Sequence, residues 1–131
     1  MKKKITVIAV FVILIGMFSA LLLFKGNKPF KNLETADIVS AQVEISPPDK
    51  IVQITNIDEL VPYLNDLVIY GKDQSFTEYA GQAVIVTLKT SEGEQIKITE
   101  FSPFVIINGV GYKAKYEPCE ALNRYANGFI N

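Results

Sequence analysis

Between Ile5 and Phe24 the chain runs for twenty residues in which only Thr6, Gly16 and Ser19 fall outside the strongly apolar types. As a helix, a run of that length rises about 30 Å, one hydrocarbon core. Inside lipid a helix satisfies its own backbone hydrogen bonds, so no other local structure fits there. Ile5–Phe24 is therefore expected to be a transmembrane helix, which makes the lipid bilayer its first partner. Lysines flank it: Lys2, Lys3 and Lys4 before, Lys25, Lys28 and Lys31 after. A cleaved signal peptide is the rival reading. Its apolar stretch is shorter, about 7–15 residues, and ends at a small-x-small site. Gly16, Ser19, Ala20 and Gly26 offer no pair two positions apart, and the single cysteine, Cys119, is far from the run. The expectation is an uncleaved anchor with its tail over residues 1–24.

Lysines on both sides leave the positive-inside rule without a clear vote. A short tail with three lysines is hard to translocate, whereas long domains cross largely regardless of charge. The expected placement is a single-pass protein of the cell membrane, with a cytoplasmic N-terminus and an extracytoplasmic domain. Residues 25–35 (KGNKPFKNLET) read as a linker, because Gly26, Asn27 and Pro29 disfavour helix. Phe30 and Leu33 are expected to touch either the membrane interface or the domain. The domain itself is residues 36–131.

Charge and composition exclude several functions. Residues 32–131 hold all 14 acids and seven of the 13 bases, a net charge of −7. Such a domain repels phosphate backbones, so no nucleic acid is expected as a partner. The chain has no histidine and one cysteine. Ser-His and Cys-His catalytic pairs, imidazole zinc sites and internal disulfides are thereby excluded. No GxxxxGK[ST], GxGxxG or EF-hand loop is present, and neither a cofactor nor a metal is expected.

The pattern after residue 35 predicts an α+β domain: an antiparallel sheet of five to seven strands with two packed helices. Ala36–Ile45 alternates, with Val39, Ala41, Val43 and Ile45 on one side and Ser40, Gln42 and Glu44 on the other. Ser46-Pro47-Pro48-Asp49 stops it, and Lys50–Thr55 follows as a short strand. Asn56–Leu67 predicts a helix with Asn56 and Glu59 at capping-box spacing and Leu60, Leu64, Leu67 and Val68 as its apolar stripe. Pro62 implies a kink, or a start near Val61. Val68–Tyr70 reads as a strand and Gly71–Gly81 as irregular chain. Ala83–Thr90 and Gln95–Phe101 form a hairpin whose loop glycine, Gly93, sets the register Val86–Ile98 and Leu88–Ile96. Phe104–Ile107 and Val110–Tyr116 flank Asn108-Gly109, the strongest short hairpin signal. Phe104–Ile107 is apolar on both faces and belongs near the sheet centre. Gly111, opposite Ile106, signals a close approach or a bulge. Pro118 opens a last helix that ends at Asn127-Gly128, with Leu122, Tyr125, Ala126, Phe129 and Ile130 as its stripe.

Long irregular stretches in compact domains are disproportionately functional. Lys72, Asp73, Phe76 and Tyr79 are therefore the candidate binding residues, against the alternative that Phe76 and Tyr79 fold back on the sheet. Tyr112 and Tyr116 share strand parity and are expected to face the core. Cys119 reads as a small core residue, since Glu117 and Glu120 flank it and no histidine can serve as its base. Asp58, Glu59 and Asp66 read as a solvated helix face, and no catalytic set emerges.

The run GQAVIVTLKTSEGEQIKITEFSPFVIINGVGYKAKYEPCEALNRYAN (Gly81–Asn127), with SPPDKIVQITNIDELVPYLNDLVIY before it, resembles a family of small uncharacterised membrane-anchored extracytoplasmic proteins of Gram-positive bacteria. The resemblance implies an N-terminal anchor and an outer α+β domain. It implies no activity, substrate or catalytic residue. The expected function is a non-enzymatic, membrane-tethered binding module whose partner is another membrane protein or an extracellular protein. The alternatives are a carboxylate-dependent hydrolase, which needs two acids converging in a cleft, and an apolar-ligand carrier, which needs an open cavity between helix and sheet.

Overall fold

The computed structural model describes residues 26–130. The apolar run Ile5–Phe24 lies outside them; among the described residues no helix is long and apolar enough to cross a membrane. The described chain forms one seven-stranded sheet: β1 (Ile38–Ser46), β2 (Lys50–Ile54), β3 (Ile69–Lys72), β4 (Ala83–Thr90), β5 (Gln95–Phe101), β6 (Phe104–Ile107) and β7 (Val110–Ala114). The order across the sheet is β2-β1-β4-β5-β6-β7-β3, and every pairing is antiparallel. Two helices, α1 (Ile57–Asn65) and α2 (Tyr116–Asn127), pack on one face. This is the α+β architecture expected from the pattern.

The core lies between the helices and that face. Val43, Ile45, Val84, Val86, Leu88, Ile98 and Val105 from the strands meet Leu60, Leu64, Leu67 and Leu122, all of them sealed from solvent. Burial of each such side chain contributes on the order of 1.5–3 kcal/mol. Both hairpin registers are as read from the pattern. Val86 faces Ile98 and Leu88 faces Ile96, with Gly93 at φ +88° in the loop. Ile107 faces Val110 and Ile106 faces Gly111, with Asn108 and Gly109 both at positive φ, as a tight two-residue turn requires. β6 is an interior strand, and Phe104, Val105 and Ile106 are all buried, one face under the helices and the other under the chain after β3.

Several local expectations are corrected. β1 carries a register shift between Ile38 and Ser40, where two residues stand opposite Lys89. This bulge lets Ile38 and Ala41, three apart, both face inward, and it turns Val39 out to 63% exposure. Unbroken alternation had placed Val39 inward. Of the two starts that Pro62 left open, helix α1 takes the earlier, beginning at Ile57 with Pro62 inside it, and it ends at Asn65, short of Leu67. Asn56 precedes α1 but makes no capping bond from its side chain to the backbone; its amide instead meets the Glu59 carboxylate at 3.4 Å. Helix α2 begins at Tyr116, two residues before Pro118, which occupies the first turn. The strand stops at Ala114, so helical geometry replaces strand parity and leaves Tyr116 60% exposed, while Tyr112 packs against the core as expected. Gly128 ends α2 with φ −60°, without the left-handed turn that glycine permits there.

Residues 26–35, read as a linker, lie against the domain. Asn27 and Ile69 exchange two backbone hydrogen bonds of 2.8 Å at the outer edge of β3. The side-chain amide of Asn65 donates to the carbonyls of Phe30 (2.7 Å) and Leu33 (3.0 Å), and both side chains pack on the core.

Candidate functional site: the outer face of the sheet

Alternation in each strand sends half of the side chains away from the helices. The outward rows are Ser40, Gln42 and Glu44 on β1, Ile51 and Gln53 on β2, and Ala83, Ile85, Thr87 and Lys89 on β4. Across from them stand Gln95, Lys97, Thr99 and Phe101 on β5, then Phe104, Ile106, Gly111 and Lys113. Among the described residues no helix covers this face. The chain after β3 crosses only one end of it.

The crossing is built from residues singled out in the sequence. The Asp73 backbone N–H donates to the Gly111 carbonyl at 2.9 Å, and the Gly111 N–H donates to Gln74 Oε1 at 2.6 Å. A side chain at 111 is impossible without displacement: its Cβ would lie 2.5 Å from the Asp73 carbonyl oxygen and 2.6 Å from the Phe76 ring. The Asp73 carboxylate accepts from the Ser75 hydroxyl (2.6 Å) and the Ser75 N–H (2.9 Å), which start a 3-10 turn over Ser75–Glu78. These bonds, with the Lys113 ammonium at 3.8 Å, hold the Asp73 carboxyl below its usual range. Phe76 and Tyr79 then meet Phe104 edge to face, with centroids 6.4 and 5.2 Å apart.

The structure thus brings Asp73, Phe76 and Tyr79 together over β6 and β7, with Asp73 as the fastener and the two rings as the lid. Tyr79 keeps 56% of its surface in solvent. Lys72 does not join them, being an exposed residue of edge strand β3 opposite Tyr112. Beside the lid runs an open groove of about 390 Å³, lined by Phe76, Ala83, Lys97, Thr99, Phe101 and Ile106. Farther along the same face a second hollow of about 430 Å³ is floored by Ser40, Gln42, Gln53, Thr87, Lys89 and Gln95. Thr87 of the polar hollow and Lys97 of the apolar groove share a rung, so the two hollows adjoin on the face.

Sequence reasoning missed one chemically distinctive residue, on the opposite face. Glu100 is 2% exposed, on β5 between Val84 and Val105. Burial raises its carboxyl pKa, against the lowering effect of its hydrogen bonds. Glu100 Oε1 accepts from the Ser102 hydroxyl (2.7 Å) and N–H (3.0 Å), and Oε2 accepts from Asn123 at 3.4 Å. Gln82 and Asn127 extend this polar seam under α2. The signal was available, since Glu100 follows Ile96 and Ile98 at strand period and so falls on the core side. Burial, then the nearby Glu100 carboxyl, pushes the Cys119 thiol up to about 12, so Cys119 is an inert core residue. Asp58 and Asp66 lie at the surface, bonded to the Thr35 hydroxyl and 3.9 Å from Lys28 respectively.

Chemically, the outer face offers surface rather than reacting groups: an apolar trough, hydroxyl and amide side chains, and lysines. Among the described residues no three acidic or thiol groups come close enough to hold a metal ion. Comparison of the chain with protein-family models, with curated proteins and with solved structures found no match to any of them.

Proposed function

We propose that the chain is a membrane-tethered, non-enzymatic binding module, held by Ile5–Phe24 and facing the extracytoplasmic side, with the outer face of its sheet as the binding surface. The observation that carries this reading is the asymmetry of the two faces. One is sealed by α1 and α2. The other is left open by the described residues except where the Asp73–Tyr79 lid shapes a trough. The apolar run and its flanking lysines support the tether, and the family resemblance points the same way. Tethering raises effective concentration for partners in the same membrane, so modest contacts suffice.

The test is a photo-crosslinking amino acid placed at Thr99 in the full chain, in intact cells. A discrete adduct at Thr99, absent when the probe stands at Asp58 on the helical side, supports the reading; equal labelling from both positions overturns it. External protease on intact cells checks the placement, with cleavage of the domain as the expected result.

One observation favours a second reading, carboxylate-dependent hydrolysis. Glu100 and Glu120 line one pocket of about 240 Å³ with Ser102, Tyr116 and Asn123. In that reading Glu100, whose carboxyl pKa burial raises, is the acid and Glu120 the base. It ranks second because Glu120 is paired with Arg124 at 3.1 Å, and Ser102 and Asn123 occupy the oxygens of Glu100.

A further inference from the structure

The charged side chains divide between the two layers. The helices carry Asp58, Glu59, Glu117 and Glu120 against Arg124 alone. The outward rows of the sheet carry Lys89, Lys97 and Lys113 against Glu44 alone. The lid adds Asp73, which pairs with Lys113, and the exposed Glu78, so the unpaired positive charge of this face is confined to Lys89 and Lys97, on the side of the sheet that no described helix covers.

Lys113 is engaged by Asp73. Lys89 and Lys97, both exposed, form no ion pair with any described residue. Lys89 stands opposite Gln95 and Lys97 opposite Thr87, which makes the two lysines diagonal neighbours across β4 and β5. Such positions are roughly 7–8 Å apart. Glu44 is opposite Ile85, two strands across and two residues along from Lys97, about 12 Å away. Lys97 also lines the apolar groove, whereas Lys89 lines the polar hollow. Passing along β5, the face therefore presents an apolar trough at Phe101 and Thr99, an ammonium at Lys97, and a second ammonium at the Gln95 rung.

We propose that this strip takes an extended acidic peptide segment of a partner protein, anchored by one aromatic or aliphatic side chain, with carboxylates two and four residues from the anchor. The inference deepens the binding reading above and rests on it. The spacing follows from geometry: an extended chain rises about 3.3 Å per residue, so alternate side chains match the two-residue spacing of successive rungs. The trough supplies apolar burial and the lysines supply sign and register. A simple inorganic anion leaves the trough unused.

The test uses the full chain in detergent micelles and synthetic nine-residue peptides with phenylalanine at position 3 and glutamate at positions 5 and 7, in a Gly/Ser/Thr background. Binding is followed by fluorescence anisotropy, and the site by NMR shifts of Thr99 and Phe101. The glutamate peptide should bind at least tenfold more tightly than the same peptide with lysines, and K89E/K97E should reverse that order. The milder K89Q/K97Q should abolish the preference while melting as the parent does. Equal binding of both peptides at the Thr99 and Phe101 resonances overturns the acidic-ligand inference and leaves the surface reading standing. No shift at those resonances with any peptide overturns both. Concentration-dependent dimers that K89E/K97E dissolves would assign the face to a second copy and overturn the proposal.

Discussion

At position 100 a carboxyl group stands where its neighbours across the sheet are Val84 and Val105. Burying an ionised carboxylate is costly, and the Ser102 and Asn123 donors offset only part of that cost. The folded-state pKa is raised above the ordinary 4.5, so above that pH the folded state binds more protons than the unfolded one. Glu100's contribution is therefore fully present below about pH 4.5 and is lost as pH rises through the folded pKa. Glu100→Gln should flatten that part of the stability profile, measured as urea midpoints at a series of pH values; a parallel profile would count against a buried acid. Two neighbours give further checks. Cys119, with its thiol pushed up to about 12, should react with a disulfide reagent only as fast as the chain opens, and much faster in denaturant. Gly111→Ala places a Cβ 2.5 Å from a backbone carbonyl oxygen, and overpacking of this kind costs about 1–3 kcal/mol. Its urea midpoint should fall, with the Phe76 resonances shifting first.

Among the elements, the hairpins were legible in full because their registers rest on short-range chemistry. Asn108-Gly109 supplies two positive-φ residues, and Gly93 supplies one, so the turn dictates the pairing. The bulge in β1 was not legible, because nothing in IVSAQV distinguishes an extra residue from unbroken alternation; pairing with β4 decided it. Helix α1 is a middle case. Its stripe of Leu60 and Leu64 was visible, yet Pro62 argued against the first turns. The buried leucines outweigh the proline, which leaves the Asp58 carbonyl without its usual N–H donor. Pro62 is exposed, so Pro62→Ala should restore that bond and raise stability by about 1–2 kcal/mol after the greater freedom of the unfolded chain is counted. Chemical denaturation with circular dichroism checks it; an unchanged or lower midpoint would mean that the proline is accommodated at no cost.

For the molecule as a whole, the segment entering the domain is part of the fold. Phe30 and Leu33 pack on the core, Asn65 holds both of their carbonyls, and Asn27 covers the end of β3. Removing residues 27–33 from the full chain should lower stability by about 2–5 kcal/mol, the range for losing buried large side chains, and should expose the Ile69 amide to hydrogen exchange. Of the candidate site, the sequence alone marked Asp73, Phe76 and Tyr79, because an eleven-residue stretch without periodicity must either be functional or cover something. Local periodicity likewise determined the α+β class, both hairpin registers, the helix stripes and the interior position of Phe104–Ile107, since each depends on residues within about ten positions. Only the tertiary structure decided the strand order, the docking of residues 26–35, the burial of Glu100 and the meeting of Lys97 with the trough beneath Phe76. Those depend on which distant strands become neighbours, and a period of two says which face a side chain takes but not what stands across from it.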